Sequence, residues 1–100
     1  MHPATPARAA GCTPRAGTAV TLRASDFDPD VFVWDTQGRA LAYASRATFF
    51  KVDDVLRHIV LAKAGTHAVV VGCGEGFVLV RLASGPNRGR IGWVTSSDVR

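Results

Sequence analysis

Two cysteines, two tryptophans, one tyrosine and one methionine are all that the 100 residues hold of those types. Each scarcity excludes something. Cys12 and Cys73 lack CxxC spacing, and His2, His58 and His67 are scattered, so no zinc site assembles from sequence neighbours. Charged or polar residues interrupt every stretch well before the roughly 18 apolar residues of a membrane-spanning helix. The apolar run of roughly 7–15 residues that a secretory signal needs is missing as well. There is no Walker sequence and no GxSxG elbow. Asp53 and Asp54 are adjacent on an expected helix and point in different directions. The expectation is a chain that is not an enzyme and that uses neither cofactor nor metal.

What is present fits one small globular domain. The chain is 47% hydrophobic and 20% charged, ordinary values for a folded protein. A chain of this length buries roughly 60–70% of its unfolded surface, enough for one core. The net charge is +4, but Arg8 and Arg15 lie in the amino-terminal stretch and supply half of it. From Gly17 onward ten basic residues face eight acidic ones, leaving +2. Acids gather early (Asp26, Asp28, Asp30, Asp35) and Arg81, Arg88 and Arg90 lie late, a polarity that can steer an acidic partner.

Residues 1–16 are rich in proline and alanine and poor in bulky apolar side chains, so they are expected to form a disordered leader to a domain spanning 17–100. Within it, Ala9-Ala10-Gly11-Cys12 resembles the end of a bacterial lipoprotein signal. That resemblance would place the chain at the cell envelope; as written, without an apolar stretch, it reads as cytoplasmic. Cysteine usage does not decide the compartment, and a Cys12–Cys73 disulfide tying leader to domain stays open.

The body reads mainly as β. Thr18–Arg23 is a short strand. Val31–Trp34, a turn at Asp35–Gly38 and Arg39–Ala44 read as a hairpin, with Gly38 supplying positive φ. Ala68–Val71, the glycine turn Gly72–Gly76 and Phe77–Leu82 read as a second hairpin, and Arg90–Thr95 as a further strand. Ser96–Asp98 starts a one-turn helix or a last strand. In Lys51–Ala64 the residues Val52, Val55, Leu56, Ile59 and Val60 fall on one helical face. Thr48 is the candidate N-cap and Gly65 the stop. The competing reading makes Ile59–Leu61 a strand.

Two strings imitate known sites. Val69–Gly76 resembles the glycine-rich loop of S-adenosylmethionine-dependent methyltransferases, but Phe77–Val80 after it is a strand where that site needs a helix. Asp26-Phe27-Asp28-Pro29-Asp30 has calcium-loop spacing. Val31 and Gln37 then stand where an EF-hand needs glycine and glutamate, so solvated loop acids are the expectation.

Ala64-Gly65-Thr66, Val69–Val71, the glycine turn, Phe77–Arg81 and then Gly89-Arg90-Ile91-Gly92-Trp93-Val94 resemble a bacterial SH3-like domain over residues 59–99. The resemblance implies an SH3-like small barrel, here with an elaborated loop, Asp26–Lys63, carrying the hairpin and one short helix. It implies a non-catalytic module that binds a protein, a peptide or a cell-envelope polymer. The acidic-aromatic pattern of polyproline-binding members is absent, so that ligand is not carried over. Trp34, Tyr43 and Trp93 are the candidate contacts, because aromatic side chains offer large area at small entropic cost. Each could equally be core. Phe27, Phe32, Phe49, Phe50 and Phe77 are expected to pack. Val80–Pro86 with Gly89 and Gly92 is also similar to the KOW motif, which implies an alternative: RNA or transcription-complex binding through Arg81, Arg88 and Arg90. A structural or assembly subunit is the third class.

Overall fold

The computed structural model describes residues 11–23, 30–45 and 52–100. In chain order these form β1 (Ala19–Thr21), β2 (Asp30–Trp34), α1 (Gln37–Ser45), α2 (Val52–His58), β3 (Ile59–Lys63), β4 (His67–Gly74), β5 (Phe77–Leu82) and β6 (Ile91–Thr95), then a single 3-10 turn at Ser96–Asp98. The strands make one antiparallel sheet in the order β1-β4-β5-β6-β2-β3. After the 3-10 turn the chain returns to β1, where Thr21 and Arg100 exchange backbone hydrogen bonds of 2.9 and 3.0 Å. The mainly-β expectation therefore stands. Among the described residues the sheet does not close on itself, and β3 pairs with no strand but β2.

Alternation along the strands sorts side chains onto two faces. Val31 and Val33 of β2, Val78, Val80 and Leu82 of β5 and Val94 of β6 join Val20, Leu22, Ala62, Ala68 and Val70 in one aliphatic core. The intervening residues Trp34, Phe77 and Trp93 form a second cluster on the other face, with Ala40 of α1, Val55 of α2 and the flanks of Phe32, Ile59 and Leu79. Neither face can be left to water. The helices cover the second one.

A bulge sets the phase of β4. The register shifts between Val70 and Gly72, so Gly72 faces Leu79 and Cys73 faces Val78. Without that extra residue, strict alternation would turn Cys73 away from the aliphatic core. With it, Cys73 is buried and bonded to Cys12, 61 residues away in sequence. The stretch assigned to the leader thus divides. Gly11–Ala16 is described and anchored through buried Cys12, while residues 1–10 lie outside the described residues.

The hairpin expected over Val31–Ala44 is corrected: its second half is the helix α1. Thr36 is the reason. Its hydroxyl accepts the Arg39 N–H at 3.2 Å, and its carbonyl accepts the Ala40 N–H at the same distance, which opens a helix. The residues that follow, Arg-Ala-Leu-Ala-Tyr-Ala, are mostly strong helix formers. Gly38 sits in the first turn without positive φ. The competing readings of Lys51–Ala64 each hold over part of it. Val52–His58 is helical, and Ile59–Lys63 is a strand whose β-branched start pairs with Trp34 and Val33. The described residues consequently hold two α-helices, where one short helix was expected. Thr48 as N-cap, and Phe49 and Phe50 as packing residues, lie outside the described residues.

Candidate functional site

Trp34 and Trp93 face each other in register across β2 and β6. They are only 4% and 8% exposed, so as contact residues both are corrected: α1 lies over them and they fill the second cluster. Gly92 lets these strands meet. A Cβ at that position would stand 2.5 Å from Val33 Cγ1 and 2.8 Å from the Trp34 carbonyl oxygen. The glycine thus permits close approach of two strands. Tyr43 is the exception among the candidates. It is 42% exposed on α1, with its ring centroid 5.2 Å from Trp34 and 5.8 Å from Phe32.

Arg81, Arg88 and Arg90 are all exposed and gather at one end of the β5–β6 hairpin. There Gly89 N–H donates to the Leu82 carbonyl at 2.7 Å and Leu82 N–H to the Arg90 carbonyl at 2.8 Å. A separate polar group was not foreseen. Asp35 Oδ2 lies 2.8 Å from His58 Nδ1 and 3.5 Å from Arg39 Nη1, joining the start of α1 to the end of α2. All three side chains are substantially exposed, so this contact adds little stability. Among the described residues no three His, Cys, Asp or Glu side chains gather to hold a metal. Asp26 and Asp28 of the calcium-like string lie outside the described residues, and Asp30 opens β2.

A cleft of about 460 Å³ lies elsewhere, along the open edge of β3. One wall is Leu61, Ala62 and Lys63; the other is Ser84, Gly85, Pro86 and Asn87 of the β5–β6 loop, with Asp30, Thr66 and Leu82 between. Its volume is in the range of ligand sites. Asn87 spans it, donating from Nδ2 to the Leu61 carbonyl at 3.0 Å.

Register shows how that edge is dressed. Asp35 N–H donates to the His58 carbonyl at 2.9 Å, flanking the Trp34–Ile59 pair. That pair, and by alternation Phe32–Leu61 and Asp30–Lys63, are non-hydrogen-bonded pairs. The backbone groups of Leu61 and Lys63 therefore point away from β2 into the cleft. Both carbonyls are satisfied from within the chain: Leu61 by Asn87, Lys63 by the N–H and hydroxyl of Thr66 at 3.1 and 2.7 Å. The two N–H groups have no acceptor among the described residues. No family model, curated protein or solved structure matches the chain.

The cleft's residues escape sequence reasoning because their types are unremarkable. Leu61 reads as part of an apolar run and Asn87 as a loop residue. Only the register reveals that one presents its backbone and the other bonds to it. The lipoprotein resemblance meets a direct obstacle. The Cys12 sulfur is bonded to Cys73, so it has no thiol to carry a lipid thioether.

Proposed function

We propose that the chain is a non-catalytic binding module built on an SH3-like small barrel, and that it takes a protein, peptide or cell-envelope polymer in the cleft between β3 and the Ser84–Asn87 loop. The fold reading is supported by continuity. The three segments that carry the resemblance are β4, β5 and β6, consecutive and adjacent in one meander, and the elaborated loop carries β2, α1, α2 and β3. The site reading rests on the cleft itself, a concave and largely apolar space beside a polar backbone edge. No helix among the described residues is long and apolar enough to cross a membrane. The buried Cys12–Cys73 bond supports an oxidising compartment as the place of work.

The test is amide chemical-shift mapping of the oxidised chain against short-peptide mixtures and, separately, soluble cell-wall fragments. Shifts concentrated on Leu61–Lys63, Thr66 and Ser84–Asn87 are expected. Shifts confined to α1 around Tyr43, or spread evenly, would overturn the cleft. The three exposed arginines at one hairpin end favour a second reading, RNA binding. There, log affinity for a single-stranded RNA oligomer should fall by about 0.7 per contacted phosphate for each tenfold rise in salt. Replacing Arg81, Arg88 and Arg90 by alanine should remove that dependence.

A further inference from the structure

Resting on the cleft as the binding site, we infer that its occupant is an extended peptide that adds to β3 as a strand and displaces the Asn87 side chain from the Leu61 carbonyl. The exposed edge dictates the class. Leu61 and Lys63 present N–H groups two residues apart on one side of a strand, a repeat of about 6.6–6.8 Å. An extended chain offers carbonyls at that same repeat, and its own N–H groups between them. A compact polymer unit or a folded surface does not.

Asn87 already shows what the edge accepts. Its carboxamide carries the same N–H donor and C=O acceptor types as a backbone amide, and its Nδ2 donates to the Leu61 carbonyl, the group a partner strand's N–H would bond. One donor is thereby imitated within the chain, while the acceptor for the neighbouring Leu61 N–H is missing among the described residues. Thr66 closes the Lys63 carbonyl with two bonds, so the pairing centres on Leu61 and ends near Lys63. Pro86 in the wall opposite, with Leu82 at the floor between the walls, gives one apolar side chain of the peptide a place to bury.

The experiment selects binders from a displayed library of random seven-residue peptides on the oxidised full chain. The selected peptides are then remade with alternate amides N-methylated, in either of the two phases. Methylating the phase that faces β3 should weaken binding at least tenfold, while the other phase leaves it within twofold. Hydrogen exchange at Leu61 and Lys63 should slow when the unmethylated peptide binds. Asn87→Ala should tighten binding several-fold, since the peptide then displaces nothing, and unchanged strand signals from β2 and β3 would certify the variant's fold. Peptides that map to the cleft but tolerate both methylation phases would overturn strand addition and leave the cleft reading intact. A library that yields no cleft binder would overturn both. A concentration-dependent dimer that slows the same two amides without peptide would assign the edge to a second copy, and would also overturn the proposal.

Discussion

At the scale of single residues, the tightest constraint is on Gly92. A methyl group there would meet the Trp34 carbonyl oxygen, and backbone atoms cannot rotate aside as a side chain can. Gly92→Ala is expected to cost about 1–3 kcal/mol, the usual range for overpacking, seen as an earlier midpoint in urea unfolding with little change in slope. Trp93 behaves as core in the same sense. Trp93→Ala removes a side chain that is 8% exposed, and the expected loss is about 3–5 kcal/mol. A variant that unfolds no more easily than the parent would contradict that packing. Leu61→Asp is the contrasting case. The side chain is 43% exposed, so stability should move by less than about 1 kcal/mol, while cleft binding by shift mapping should be lost.

At the scale of elements, α1 depends on its first turn. Thr36→Ala deletes the hydroxyl that accepts the Arg39 N–H and should cost about 1 kcal/mol. The loss should show as reduced thermal stability with early exposure of the indoles beneath the helix, followed by tryptophan fluorescence. This helix is also where sequence reasoning went astray. Asp35–Gly38 carries turn residues, and Ala40–Ala44 is a short continuous apolar run, which periodicity alone does not assign to helix or strand. Deciding between the two required knowing that Thr36 would cap and that the face bearing Trp34 and Trp93 needed a cover. The strands of the β4–β6 meander were legible from glycines that separate runs of β-branched residues, but Gly72–Gly74, read as turn, extend β4, and the turn is only Glu75-Gly76. The cleft was not, since it depends on which way a backbone points at the sheet edge. Nor was the burial of the two indoles, since an aromatic residue on a strand reads alike whether a helix covers it or not.

At the scale of the whole molecule, the Cys12–Cys73 bond closes a loop of 61 residues in sequence. A cross-link of that length stabilises by about 4 kcal/mol in the chain-entropy account. Reducing it should lower the melting temperature by on the order of 20 °C for a domain this small, measured by calorimetry with and without a thiol reductant. A melting point indifferent to reductant would mean that the bond contributes nothing.

The meeting of β1 with the segment around Arg100 has a consequence for how the molecule is made. Synthesis runs from β1 onward, yet β1 finds its neighbours only after β4 and then residues 98–100 have been added. β1, which precedes the other described strands in the chain, thus gains its first partner only when β4 has been made and its second only with residues 98–100. Until then Val20 and the adjoining Leu22 are open to the chaperones that attend unfinished chains. Cys12 waits in the same way: an oxidant that arrives before Cys73 has been added can join it only to the wrong thiol.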